Sequence, residues 1–323
     1  MTVASTLRGH VGVQVAAALQ ASGRRVVVVA PAFPAGGRTT VGGVQLVGGV
    51  PVHRTHFGQD LRNPVRQSRV ARLFDGLGLG PAVELASTAF HGGAPLAGVQ
   101  RGARVIVADA ATDVDLDALV TSMRGHDSVL WVGSPGLAHA LARAHPGTRA
   151  PWDQPRSPRP LVVVGSLHPS SRAQVAALIG ARHARTVQPG LTGGTGRADS
   201  DAAGGGPSTV PLIVHSPCAV SDDPAAVAAT LGHAIQQLVR DGAVDGLIAT
   251  GGDTALAAAR TLGATGMHLW GEVEPGIPVG TLIGSHPFPV VTKAGGFGDA
   301  GTLARLWDAL RGLPSSPVQG VHA

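Results

Sequence analysis

The most constraining feature of the sequence is a series of short, continuous apolar runs that alternate with alanine-rich segments. The runs lie at residues 26–30, 104–108, 129–132, 161–164, 212–214, 247–250 and 290–292. A continuous apolar run is typical of a strand buried on both faces, as in a parallel sheet covered by helices. The segments between the runs have helical spacing. The pattern predicts an α/β fold with two domains, each a mostly parallel sheet covered by helices.

Two segments interrupt this alternation and predict how the chain is divided. Residues 144–160 contain several prolines and no apolar period. They predict a linker between a first domain at 1–143 and a second domain at 161–312, followed by a disordered tail at 313–323. Residues 190–208 are rich in glycine, alanine, aspartate and serine, and they predict a flexible surface loop in the second domain.

The composition excludes several classes of protein. Charged residues make up 14% and hydrophobic residues 44% of the sequence, which is neither a disordered nor a coiled-coil composition. We find no apolar run of membrane-spanning length and no signal peptide, so we expect a cytoplasmic protein without a membrane partner. The single cysteine, Cys218, excludes an internal disulfide. The net charge of +5 comes from scattered arginines without a basic patch, which argues against a nucleic-acid partner.

The loop after the run at 247–250 is the first of three candidate ligand loops. Ligands of open α/β sheets bind beyond the carboxyl ends of the strands. Here Gly251, Gly252, Asp253 and Thr254 lead into a helical run. The glycines allow a ligand to approach the backbone, Asp253 or Thr254 can cap the helix, and the amides at the helix start suit a phosphate. The alternative is an ordinary tight turn with a good cap.

The second candidate loop follows the run at 290–292 and leads to a helix predicted to begin near Asp299. It contains Lys293, Gly295 and Gly296. Lys293 is the only lysine in a chain that otherwise uses arginine, which indicates that a compact ammonium group is required at this position. The alternative is a solvated surface lysine.

The third candidate loop follows the run at 161–164 and contains Ser166 at the strand end, where it can contact a nucleotide. Ser170 or Ser171 can cap the next helix. None of the three loops matches the Walker P-loop or the dinucleotide-binding fingerprint. Taken together, the three loops predict a phosphate or nucleotide site in the second domain.

Longer motifs resemble those of one family, the four-carbon acid sugar kinases, which comprises threonate, erythronate and 3-oxo-tetronate kinases. In the second half they are GS at 165–166 with Pro169 and Gln174, GGDTA at 251–255, GEVEPG at 271–276 with Gly280, and TKAGGFG at 292–298. In the first half they are STLRG at 5–9, APAFP at 30–34, GRTT at 37–40, DLRNP at 60–64, Asp109-Ala with Asp113, and GSPGLA at 133–138. The resemblance covers nearly the whole chain in the family's order.

The resemblance implies that ATP phosphorylates a small sugar acid, with Mg²⁺ bridging the phosphates. It implies that the first domain binds the acid through Ser5 and Arg8, since arginine pairs well with a carboxylate. The nucleotide is expected to contact residues of all three loops, namely Ser166, Gly251, Gly252, Asp253, Thr254, Lys293, Gly295 and Gly296. No protein ligand is assigned to the metal, and a homodimer is one assembly that the resemblance allows.

The chain departs from the family pattern at its start. In the family a D-D-x-T-G segment precedes a K-x-D-S-T-L-R-G motif. This chain begins inside the second motif, with Thr2 and Ala4 at the positions of its lysine and aspartate. The catalytic base is therefore unassigned. Two alternatives follow: a sugar-acid kinase, or a truncated or degenerate family member that binds ATP or ADP without turnover.

Overall fold

The structure is a computed structural model that describes residues 11–59, 64–91, 103–147, 155–165, 168–187, 210–216, 224–284 and 287–313. The chain divides into two compact units, residues 1–149 and residues 150–323. Each contains strands and helices in alternation, and the predicted α/β fold class is confirmed. Within the described ranges, no helix has the length and apolarity needed to cross a membrane.

A parallel sheet forms the centre of the first unit. Its strands are β1 (Val26–Ala30), β5 (Val83–Leu85), β6 (Val105–Ala108) and β7 (Val129–Gly133), in the order β5-β6-β1-β7. The helices are α1 (Val11–Ser22), α2 (Thr88–His91), α3 (Asp113–Ser122) and α4 (Pro135–Ala144). In β1, Val27 and Val29 belong to the core that includes α1, while Val28 and Ala30 belong to the core that includes α3 and α4. Because both faces of β1 are buried, all five of its residues are apolar.

A small antiparallel sheet follows β1 in the chain. It consists of β2 (Arg38–Val41), β3 (Val44–Val47) and β4 (Val50–Pro51). The turn between β2 and β3 contains Gly42 and Gly43, whose φ angles of 57° and 73° are those that a tight two-residue hairpin requires. Their amides donate to the two carboxylate oxygens of Asp109, at 2.7 and 2.8 Å. Asp109 follows β6, so its carboxylate joins the hairpin to the carboxyl end of the parallel sheet.

The second unit is built on a seven-stranded mixed sheet. Its parallel strands are β8 (Pro160–Val164), β9 (Arg185–Val187), β10 (Leu212–His215), β11 (Gly246–Thr250) and β14 (Phe288–Lys293). An antiparallel hairpin of β12 (Gly266–Glu274) and β13 (Ile277–Ile283) extends one side, and the order is β12-β13-β14-β11-β8-β10-β9. The helices are α5 (Pro169–Arg182), α6 (Pro224–Arg240), α7 (Gly252–Thr261) and α8 (Thr302–Leu310).

All seven predicted apolar runs form strands, but the prediction missed the antiparallel elements and two short parallel strands, β5 and β9. The hairpin of β12 and β13 shows why. β12 lies at the edge of the sheet and is exposed or half-buried along its whole length, with 63% of Leu269 exposed. Such a strand has no continuous apolar run to reveal it. Residues 190–208, residues 148–154 of the predicted linker and residues 314–323 of the predicted tail lie outside the described residues.

Candidate functional site

The carboxyl ends of four parallel strands of the second unit lie in one row. Thr250 of β11 pairs with Lys293 of β14 on one side and with Val164 of β8 on the other. Val164 in turn pairs with His215 of β10. The three loops predicted as separate candidates therefore begin side by side at one edge of the sheet.

The loops after β8 and β11 are in close contact. A Cβ atom on Gly165 would overlap the hydroxyl group of Thr254, so only glycine fits at this position without a shift. In contrast, a Cβ atom on Gly252 would meet no atom of the described residues within 4 Å. The start of α7 is therefore packed against β8 on one side and open on the side of Gly252.

Helix α7 starts without a side-chain cap. The chain turns at Gly251, whose φ of 102° is a conformation that side chains rarely adopt, and the helix begins at Gly252. The prediction that Asp253 or Thr254 caps this helix is wrong, because both residues lie inside its first turn. In the described part of the chain, the amides of Gly252 and Thr254 have no acceptor. They are the unpaired donors that an uncapped helix start presents.

The side chain of Lys293 lies beneath the loop that follows β14. Only 2% of its surface is exposed, which excludes the alternative of a solvated surface lysine. Its Nζ atom donates to the carbonyl oxygens of Ala294, Gly295 and Phe297, at 3.0, 3.4 and 3.1 Å. The loop therefore winds around the ammonium group with these carbonyls turned inward.

Helix α5 holds the same loop through two buried side chains. Ser171 Oγ donates to the carbonyl of Gly295 and Gln174 Nε2 donates to the carbonyl of Phe297, each at 2.9 Å. Among the residues that the structure describes, the amides of Gly295 and Gly296 have no acceptor. Neither Ser171 nor Gln174 was predicted as a site residue, because their partners lie more than 120 positions away and no local pattern connects them.

The start of α5 differs from the prediction. His168 is the N-cap, its Nδ1 atom accepts from the amide of Ser170 at 3.1 Å, and Pro169 occupies the first turn. The prediction that Ser170 or Ser171 caps the helix is wrong, because both residues already lie inside it. This leaves the hydroxyl of Ser171 available for the glycine loop.

A polar network lies at the start of α8, which begins at Thr302, three residues later than predicted. Arg305 donates to Glu274 at 2.6 Å and to Asp299 at 3.0 Å, and Thr302 Oγ1 donates to Glu274 at 3.1 Å. Burial lowers the pKa of Lys293 to about 8, and the negative charge of Glu274 opposes that shift in part. The ammonium group is thus a buried charge whose protonation is sensitive to its surroundings.

Four predicted positions lie outside the described residues: Ala4, Ser5, Arg8 and Ser166. Asp109 and Ser134 belong to first-half motifs that resemble the family, and their side chains bind backbone groups of the first unit. Asp109 accepts from the hairpin amides described above. Ser134 caps α4 by accepting from the amide of Gly136, and its hydroxyl donates to the carbonyl of Ala32.

Among its described residues, the second unit therefore presents backbone amides without an acceptor beside a buried cation. Amides at a helix start and in a glycine-rich loop are suited to bind phosphate. Within the described residues, no group of three histidine, cysteine, aspartate or glutamate side chains is placed to hold a metal ion.

Comparison with known proteins finds one domain match in each half of the chain. Residues 1–141 match a sugar-binding N-terminal domain, and residues 213–303 match a nucleotide-binding C-terminal domain that includes the loops after β11 and β14. The D-threonate kinase of Bordetella bronchiseptica is 39% identical over 96% of this chain and 77% of its own length. The D-threonate kinase of Salmonella typhimurium is 33% identical over 93% of this chain and 77% of its own length.

A solved structure of a Haemophilus influenzae protein from a domain family of unknown function is similar in fold. Its TM-score is 0.62 at 20% identity, and the match covers 91% of this chain and 76% of that chain. The two domain models occur in order, and the kinase relatives are similar along nearly the entire chain. The chain therefore belongs to the four-carbon acid sugar kinase family.

Proposed function

We propose that this chain is an ATP-dependent kinase that phosphorylates a hydroxyl group of a four-carbon sugar acid. The observation that carries the proposal is the set of backbone amides, unpaired within the described residues, at the ends of β11 and β14. Such amides suit the phosphates of a nucleotide. The sugar acid as second substrate is supported by the two D-threonate kinases to which the chain is similar.

The proposed nucleotide site combines residues of the three loops. Phosphoryl transfer depends mainly on positioning and on stabilisation of phosphate charge, which backbone amides and a nearby cation supply. When bound to the phosphates, Mg²⁺ adds further charge neutralisation. The residues proposed for this site are Ser166, Gly251, Gly252, Asp253, Thr254, Gly295 and Gly296, with Lys293 as the cation beneath the loop.

The proposed acid site lies in the first unit and uses Ser5 and Arg8. D-threonate is the first substrate to test, because it is the substrate named for both relatives above. D-erythronate and a 3-oxo-tetronate complete the panel, as the family resemblance implies. An arginine at the acid site suits the carboxylate that all of these compounds share.

The alternative function is binding of ATP or ADP without turnover. One sequence observation favours it: Ala4 occupies the position of the family's aspartate. A carboxylate at such a position is a natural candidate for a general base, whose loss typically lowers a rate by about 10²–10⁴.

One experiment separates these functions. ADP release from ATP and Mg²⁺ is measured with each acid and without acid, while calorimetry measures ADP binding to the same preparation. We expect acid-dependent ADP release, with the highest kcat/KM for D-threonate, and a phosphate ester detectable by phosphorus NMR. ADP binding without acid-dependent release supports the alternative, and absence of ADP binding contradicts both functions. Light scattering of the same sample tests whether the chain forms the homodimer that the resemblance allows.

A further inference from the structure

The ammonium group of Lys293 is fully used by the loop that surrounds it. An ammonium group has three protons to donate. Nζ of Lys293 has three acceptors, the carbonyls of Ala294, Gly295 and Phe297. With 2% of the residue exposed, a phosphate could be contacted only after one of these bonds is broken.

The direction of the loop carbonyls determines which backbone groups face outward. In a short loop whose carbonyls turn toward one side, the amides of the same peptides turn toward the other. Within the described residues, the amides of Gly295, Gly296 and Gly298 have no acceptor. Gly298 has a φ of 78°, and a side chain there would overlap Thr302, so the loop path depends on glycine at this position.

We propose that Lys293 is a positioning residue: it holds the loop at 294–298 in the conformation that presents its amides to nucleotide phosphates, and it does not itself contact the nucleotide. Ser171 and Gln174 support the same conformation from α5 by binding two of the same carbonyls. The inference rests on the proposed function, because it explains how the proposed nucleotide site is formed.

The charged groups around Lys293 determine its pKa, and nucleotide affinity is therefore expected to depend on pH. The adjacent strands β11 and β13 carry no charged residue. Charged residues on the other neighbouring elements are Glu272 and Glu274 of β12, Asp299 before α8, Arg305 and Asp308 of α8, Asp253 and Arg260 of α7, and Arg172 and Arg182 of α5.

Burial lowers the pKa of Lys293 to about 8, and Glu274 is the group whose charge raises it again in part. Bound phosphates add negative charge, which favours the ammonium form. Nucleotide affinity is therefore expected to fall as the pH rises through about 8, and binding above that pH is expected to take up a proton.

The first test is the variant Lys293→Met, which removes the ammonium group and keeps a long side chain. ADP titration at neutral pH compares it with the wild type and with Arg260→Met, which removes an exposed cation from the last turn of α7. We expect K293M to weaken ADP binding on the order of 10–100-fold, since it loses bonds from an ionised donor to three carbonyls. We expect R260M to stay within about twofold of the wild type.

Hydrogen exchange of the nucleotide-free proteins distinguishes positioning from contact. A positioning role alters the exchange of the segment 294–298 in K293M before any nucleotide is added, whereas a direct phosphate contact leaves it unchanged. Unchanged exchange in that segment, or unchanged ADP affinity of K293M, would overturn the inference. Thermal unfolding of both variants checks that the fold is retained.

A second test uses the wild type and remains decisive if K293M does not fold. Calorimetry of ADP binding near pH 9, in two buffers of different ionisation enthalpy, gives the number of protons taken up. We expect net proton uptake near pH 9 that disappears at neutral pH, because bound phosphates favour the ammonium form of Lys293. Few other groups titrate there, because the chain has no tyrosine and a single cysteine. ADP binding without proton uptake overturns the inference alone, whereas absence of ADP binding overturns the proposed function.

Discussion

The two units use glycine amides near the carboxyl ends of their parallel strands in opposite ways: the first binds them with its own carboxylate, and the second leaves them without an acceptor among the described residues. In the first unit, the amides of Gly42 and Gly43 donate to the two oxygens of Asp109, so the protein supplies its own anion. In the second unit, the amides of Gly295 and Gly296 have no acceptor within the described residues. Similar donors thus form a structural joint in one unit and a candidate ligand site in the other.

The difference shows what turns a glycine loop into a binding site. Backbone amides that are buried without a partner are costly, so they must be satisfied by protein, water or ligand. In the first unit, the carboxylate of Asp109 satisfies the amides of Gly42 and Gly43. In the loop at 294–298, the carbonyls accept from the side chains of Lys293, Ser171 and Gln174. The N–H groups of the loop are therefore the groups that can bind water or a ligand.

The variant Asp109→Ala removes the carboxylate that binds the glycine amides of the first unit, and we expect it to have the largest effect. It leaves two amides without their charged acceptor, which is expected to lower the free energy of unfolding by about 3 kcal/mol. Formate or acetate is expected to recover part of the loss, because an external carboxylate can occupy the vacated amides. Urea unfolding with and without these anions measures both effects.

Asp113→Ala is the matched control for that experiment, because Asp113 is an exposed carboxylate in the first turn of α3. Its loss is expected to cost less than about 1 kcal/mol, the typical strength of a helix-terminus interaction. If D109A unfolds at the same urea concentration as D113A, the hydrogen bonds from Gly42 and Gly43 to Asp109 do not stabilise the fold.

The variant Gly252→Val tests the open loop and is expected to have an intermediate effect. A Cβ atom at this position meets no atom of the described residues within 4 Å, so the fold is expected to tolerate a side chain there. It occupies the space in front of the α7 amides, and ADP affinity is expected to fall by about tenfold or more. Calorimetry measures the affinity. Gly180→Val is the control, because a Cβ atom at Gly180 of α5 also meets no atom of the described residues within 4 Å. Equal ADP affinities of the two variants would contradict the prediction.

The variant Ser171→Ala is expected to have the smallest effect. It removes one of the bonds that turn the carbonyl of Gly295 inward, a contribution of about 1 kcal/mol, and is expected to raise the dissociation constant for ADP several-fold. Ser170→Ala is the control, because Ser170 differs by one position and takes part in the α5 cap through its amide alone. Equal ADP affinity of S171A and S170A would mean that the loop keeps its conformation without this bond.

The elements that could be predicted are those whose environment is uniform along the chain. Every continuous apolar run became a parallel strand, because burial on both faces requires apolar residues at successive positions. The hairpin of β12 and β13 could not be found in this way, since one of its strands is largely exposed. The three loops could be predicted to lie together, because parallel strands bring their carboxyl ends to one edge of the sheet.

The details of the site depend on contacts that local sequence does not encode. The cap of α5 could have been predicted, since a proline is favoured at the first helical position and the residue before it, His168, is then the cap. The N-cap of α7 is harder to predict from sequence, because Gly251 has no side chain with which to cap the helix. The importance of Lys293 was visible from its uniqueness in the sequence, but its partners depend on the path of the loop.

The uniqueness of Lys293 also makes the second unit accessible to spectroscopy without any substitution. Protein grown with nitrogen-15 lysine carries a single labelled ammonium group, which lies beneath the glycine loop. Its burial and its three carbonyl partners slow the exchange of its protons with water, a condition for observing such a signal. One resonance can therefore report, in the intact chain, both the charge of this amine and the conformation of the backbone around it.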